Sequence, residues 1–275
     1  MSARFGLRAV ALGYVALLLA APLGLVVYRT FEHGVEPVRA AITHPQALHA
    51  LWLTVLIALI AVPANAIFGV VCALVVVRQR FRGKALLNAF VDLPFALSPV
   101  VVGLALILVF GRDGWFGGWL LDHDIRFIFA VPGMVLATIF VSLPFVVREV
   151  VPVLREIGTE QEEAAWTLGA SPLATFWRVT LPAIRWGLIY GVVLTTARAL
   201  GEFGAVSVVS GRIAGRTETM TLRVQERFEA FDLVGAYTAS VVLALLAVTT
   251  LLVMTLVRKE RPAGDRPQPG NEAVR

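Results

Sequence analysis

The chain has 275 residues, 58% of them hydrophobic and 16% charged, with a formal net charge of +5. Soluble domains carry about a quarter charged residues, so this composition excludes an ordinary soluble enzyme and places the chain in a membrane. Its one cysteine, Cys72, lies in an apolar run and leaves no intrachain disulfide.

Six apolar segments follow in chain order. Ala9–Tyr28 is free of charge and spans about 30 Å as a helix, enough to cross the hydrocarbon core. Its basic flank, Arg4 and Arg8, gives it the outline of a signal peptide. The run is too long for that, and Ala20-Ala21-Pro22 is a poor cleavage site, so a retained helix is expected. Ala50–Val77 is the second segment, with Asn65 its one strongly polar side chain. Leu93–Phe110 is the third, starting a turn or two earlier near Leu86; Phe127–Val147 is the fourth. Trp186–Gly211 is the fifth, interrupted by Arg198 and Glu202, and Leu233–Val257 is the sixth. Pro63, Pro94, Pro99, Pro132 and Pro144 are expected to kink these helices. Residues 1–8 precede this six-span region of 9–257. The tail at 258–275, charged and rich in Pro and Gly, is expected to be disordered.

Lysine and arginine set the orientation. With the N-terminus inside, fifteen of them fall in inner segments, eight in outer segments, and Arg198 within a span. That excess obeys the positive-inside rule and puts both termini in the cytoplasm. The positive charge is therefore topological, and no nucleic-acid partner is inferred from it. His33, His44, His49 and His123 lack metal-ligand spacing and fall in outer loops, so no metal site is expected.

The inner segment 148–185 is unlike its neighbours. Thr159 and Glu162 have capping-box spacing, a helix is expected over Glu160–Leu168, and Gly169 suits the left-handed position that ends it. Ser171-Pro172 then opens another turn, and Leu181-Pro182 breaks the chain before the fifth span. Taken by itself, the segment reads equally as a connector on the bilayer surface or a piece held by a partner. Its pattern, Glu163-Ala164-Ala165-x₃-Gly169-x₉-Val179-x-Leu181-Pro182, resembles the EAA loop of ABC-importer permeases, with valine in place of isoleucine. The resemblance implies an all-α, six-helix type I permease fold. It also implies that Glu163, Ala164, Ala165, Gly169, Leu181 and Pro182 couple to an ATP-binding subunit. The chain has no G-x₄-G-K-[ST] phosphate loop, so ATP and Mg are expected on partner subunits, with no cofactor and no enzymatic chemistry here.

Arg198 and Glu202, at i and i+4, share a helix face in the outer half of the fifth segment. Ionisable groups at that depth are paired or face a cavity, so a structural ion pair and a pathway or gating role both stay open. Gly201 and Gly204 beside them permit close packing or a helix break, and Gly187 with Gly191 forms a GxxxG. Asp92 reads as an interfacial or capping acid. The run 198–211 and its continuation to Leu222, with 92–103, resemble the sulfate/thiosulfate branch of the permeases, in particular its W-type subunits. That implies a T-type partner permease, two ATP-binding subunits and a periplasmic sulfate-binding protein, in the bacterial inner membrane lipid. Molybdate or another tetrahedral oxyanion remains an alternative substrate, and ion-coupled secondary transport an alternative class. The outer segment 211–232 is amphipathic, with Met220, Val224, Phe228 and Phe231 on one side. Its other side carries Arg212, Arg216, Arg223, Glu226 and Arg227, which face either a binding protein or solvent.

Overall fold

The computed structural model describes residues 2–259, and every regular element among them is helical. A helix satisfies its own backbone, as lipid requires of a crossing segment. α1 (Ser2–Val15) and α2 (Ala21–Phe31) are joined through a π-helical turn at Ala16–Ala20. α3 (Val35–Thr43) precedes α4 (Pro45–Arg78), a helix of 34 residues and about 50 Å. α5 (Lys84–Ala96), α6 (Pro99–Phe110) and the short α7 (Gly117–Asp122) lead to α8 (Val131–Glu156). α9 (Glu160–Thr167) and α10 (Pro172–Thr175) follow, and α10 passes through a π-helical turn into α11 (Leu181–Leu200). α12 (Gly204–Val209), α13 (Met220–Glu229) and α14 (Leu233–Lys259) complete the order.

The centre is α4 against α8, running parallel. Leu53 and Ile57, early in α4, pack with Met134 and Ala137, early in α8. Val70 and Ala73, late in α4, pack with Val146, Val150 and Leu154, late in α8. Between two parallel helices the chain has to return, and α5 with α6 makes that return. Val91 of α5 packs beside Cys72 and Val147 at one end, while Val102 and Leu106 of α6 join Leu53 and Met134 at the other. α11 runs opposite to α4: Ile184 sits with Leu154, while Ala199 and Leu200 reach Ala58 and Val62. α14 returns antiparallel to α11, with Ala239 against Ala50 and Leu246 against Ala58 and Val62. The helix pair α1–α2 packs on α14 through α2. Among the described residues five helices are long and apolar enough to cross a membrane, and six if the bent α5–α6 pair is one span.

The kink expected at Pro99 is present and sharp: α5 and α6 meet at 113°. A proline pushes the residue before it out of the helical region, and Ser98 sits at φ −63°, ψ 135°. Pro99 and Pro132 therefore begin helices, whereas Pro63, Pro94 and Pro144 lie inside them. The fifth segment is not continuous from Trp186 to Gly211. It is helical from Pro172 to Leu200, breaks at 201–203 and resumes as α12. Within the segment 148–185, α8 runs on to Glu156 and a helix resumes at Pro172, charged helical turns that hydropathy does not mark. The tail expected at 258–275 lies, past Lys259, outside the described residues.

Lipid gives apolar helices little reason to associate, so close approach and interhelical hydrogen bonds carry the packing. A Cβ at Gly69 would stand 2.7 Å from Val146, and at Gly187 and Gly191 2.9 Å from the backbone of α8. The Gly187/Gly191 pair is thus the face α11 lays on α8. Asn65 adds a polar pin, its Nδ2 donating to Ile139 O at 3.1 Å and Ser142 Oγ at 2.8 Å. Gly103 lets α6 touch α12; a Cβ there would lie 2.8 Å from both Ala205 O and Val208 Cβ. Gly103→Val should therefore cost about 1–3 kcal/mol and lower the thermal midpoint of the detergent-solubilised chain. Gly118→Ala, where a Cβ meets nothing within 4 Å, should leave that midpoint in place.

Candidate functional site

The inner site is built around α9. Its first turn carries Glu160, Glu162 and Glu163, which the positive end of the helix favours. The expected Thr159–Glu162 capping box does not form. Thr159 makes no cap bond and donates instead through Oγ1 to Glu163 Oε1 at 2.6 Å. Glu162 is turned inward and buried. Arg78 Nε lies 2.9 Å from its Oε2, and Thr180 Oγ1 donates to its Oε1 at 2.8 Å. Two partners, one of them a cation, hold a carboxylate more strongly than one backbone amide does.

The C-terminus of α9 closes as a Schellman motif. Ala170 N returns to Ala165 O at 3.0 Å, Gly169 N to Trp166 O at 2.9 Å, and Gly169 adopts φ +84°. A Cβ at Gly169 would have free space, so the demand for glycine is conformational. Ser171 caps α10 as expected, accepting from Ala174 N at 3.3 Å. Leu181-Pro182 does not break the chain. The π-helical turn at Phe176–Thr180 precedes Pro182 and accommodates its missing N–H, so the helix continues. Ala164, Ala165, Leu168, Arg178 and Pro182 line one open groove, with Leu168 88% exposed; Trp166 of α9 is half-exposed. Leu181, by contrast, packs inward beside Ile184.

In the outer half, Arg198 Nη1 approaches Glu202 Oε2 at 2.6 Å, off the hydrogen-bond line, with the arginine side chain 29% exposed and the glutamate 2%. Glu202 is past the end of α11, in the break. Its Oε1 accepts from Ala205 N at 2.8 Å and so caps α12, while its backbone carbonyl accepts from Thr221 Oγ1 at 2.9 Å. One residue thereby ties the end of α11, the start of α12 and α13 together. Gly201 lies in the same break; Gly204 opens α12, where a Cβ would press to 2.8 Å from Pro99.

The outer segment has a charged interior that the sequence did not reveal. Glu218 and Arg223 are both buried and meet at 3.2 Å. Arg223 is therefore withdrawn from the charged outer face on which it was placed, and Arg227 turns to Asp232 and Gln46 at 3.5 and 3.4 Å. Phe228 and Phe231, by contrast, stay exposed while Met220 is buried. Burial, and then the neighbouring carboxylate of Glu226, push Glu218 up to about 7, against the pull of Arg223. Glu218 Oε1 is buried with no donor on it, which disfavours the charged carboxylate in the same direction. Asp92 bonds Arg148 in a two-pronged ion pair and caps no helix.

Arg78, Thr180 and Glu218 carried no sequence signal of a buried role, and Glu162 carried only that of a capping box. Arg78 and Glu162 are 84 residues apart, too far for any local pattern to pair them.

The family described as "Binding-protein-dependent transport system inner membrane component" matches residues 65–260. The sulfate transport system permease protein CysW of Synechocystis sp. is 52% identical over 256 residues, covering 93% of both chains. The sulfate transport system permease protein CysT of Escherichia coli K12 is 40% identical over 243 residues, 88% of this chain and 87% of that one. A chain in the crystal structure of a bacterial ABC transporter involved in the import of the acidic polysaccharide alginate aligns with a TM-score of 0.77. It is 16% identical, with 94% of this chain and 96% of that one covered, a likeness of fold.

Glu218 keeps a proton in the folded chain that it loses near 4.5 when unfolded, so folding takes up a proton between those values. Its contribution to stability is full below about pH 4.5 and declines as pH rises through about 7. The thermal midpoint of the solubilised chain should fall across that window, and Glu218→Gln, which cannot ionise, should flatten the fall. An equal slope in the variant would assign the effect to other groups.

Proposed function

The chain belongs to the family of binding-protein-dependent transport system inner membrane components, and from that premise we propose that it is the W-type permease subunit of an ATP-driven importer of sulfate and thiosulfate. The observation that carries the substrate is the 52% identity to a sulfate permease across 93% of both chains. The identity to a CysT protein is lower, at 40%, which supports the W-type assignment and a T-type chain as the second permease. Two ATP-binding subunits and a periplasmic sulfate-binding protein complete the assembly in this reading. The excess of Lys and Arg at the end holding Arg78, Lys84 and Arg155 supports that end as cytoplasmic, with both termini there.

Transport then works by alternating access. ATP binding and hydrolysis occur on the partner subunits, which grip the exposed face of α9 and the groove beside it, with Glu163, Ala164, Ala165 and Gly169 as the contact. Movement of α9 tilts α4, α8 and α11, whose inner ends it touches. At the outer end the helix break at 201–203 is the hinge of a gate. Glu202 is already occupied by Arg198 and Ala205 N, and the part-exposed guanidinium of Arg198 keeps N–H groups available to an oxyanion.

Uptake of labelled sulfate by cells lacking only this chain, and no other sulfate importer, tests the reading. Loss to background, return on re-expression and little competition by excess molybdate are expected. Unchanged sulfate uptake, or competition by molybdate at equal concentration, would move the substrate to another oxyanion.

A further inference from the structure

α9 is a short helix with glycine in the left-handed region on each side, Gly158 at φ +64° and Gly169 at φ +84°. Such connections swivel readily, so the attitude of α9 depends on side-chain contacts. Those contacts converge on Glu162 and Arg78. Arg78 is the last residue of α4, and each of its three guanidinium nitrogens has an oxygen within reach. Nη1 donates to Leu154 O at 3.1 Å and Nη2 to Gly158 O at 2.6 Å, both at the end of α8; Nε faces Glu162 Oε2 at 2.9 Å. The other oxygen of Glu162 takes Thr180 Oγ1 at 2.8 Å, from the turn leading into α11. Glu162 and Thr180 are buried. Four elements thus meet through one guanidinium and one carboxylate.

We propose that Arg78, Glu162 and Thr180 are positioning residues that make α9 rigid with the inner ends of α4, α8 and α11. A push on the exposed face of α9 is then passed into the bundle and not absorbed at the two glycines. The inference rests on α9 being the segment an ATP-binding subunit holds, and it adds residues that touch neither that subunit nor the substrate. Glu162 is suited to this as a carboxylate: the forked arginine geometry fixes orientation as well as distance, and an amide in its place keeps the shape but loses the ion pair.

The assembled importer in proteoliposomes, with its binding protein, gives a readout that a purely structural role would not move: sulfate carried per ATP hydrolysed. In Glu162→Gln the ATP-binding subunits should still co-purify, and the ratio should fall about tenfold, within the usual range of coupling between sites. Glu162→Asp, which keeps the charge, should recover part of the ratio, and Thr180→Val should lower it less than Glu162→Gln does. An unchanged ratio in Glu162→Gln overturns the proposal. So does weaker assembly with a normal ratio in whatever assembles, since the cluster would then only hold the fold. A wild-type chain that retains no ATP-binding subunit would overturn the reading of α9 itself, and is told apart by failing before any variant is compared.

Discussion

The parallel contact of α4 with α8 is the constraint from which the remaining arrangement follows. Water does not drive apolar helices together inside lipid, so this contact depends on the near approach that Gly69 allows to Val146 and on the hydrogen bonds from Asn65 to α8. Two adjacent parallel crossings oblige the chain to come back between them. The return is made by two half-length helices bent by 113° at Ser98-Pro99, each packing against a different half of the α4–α8 pair. α11 then takes the opposite groove, laying Gly187 and Gly191 on α8, and α14 follows it back.

Charge is placed where this framework changes direction. Arg78 with Glu162 occupies the ends of α4 and α8, Arg198 with Glu202 the break between α11 and α12, and Glu218 with Arg223 the turn before α13. Helix ends expose unsatisfied backbone groups, and two of these pairs also serve them: Arg78 takes carbonyls of Leu154 and Gly158, and Glu202 takes the amide of Ala205. The paired carboxylates are buried, so breaking a pair strands a charge away from water, a large cost. The polar interior therefore stiffens the two places where the framework turns, the α9 segment and the break between α11 and α12.

The fold class was legible because long apolar runs are hard to disguise, and the EAA pattern was legible because its glycine and Leu-Pro occupy fixed places along the chain. Gly169 was readable for the same reason: a left-handed position admits few residues. The kink at Ser98-Pro99 was legible too, because a proline pushes the residue before it out of the helical region, although its size, 113°, was not. The helical extensions beyond Val147 and before Trp186 were masked by charge, which hydropathy counts against a span although helices carry it freely past the hydrocarbon. Glu162 was misassigned because the local pattern offers an amide and the tertiary fold offers an arginine from 84 residues away, which binds it more strongly. Long-range pairing of this kind has no local signature.

The central claim is that the exposed face of α9 is held by an ATP-binding subunit, and Leu168 is the residue to ask. Cys72 is buried, which leaves a cysteine introduced at Leu168 as the accessible thiol among the described residues. In the assembled importer, Leu168→Cys should cross-link to the ATP-binding subunit with a short thiol-reactive reagent and be shielded from a bulky water-soluble one. Free labelling at that thiol in the intact complex, with no cross-link formed, would contradict it.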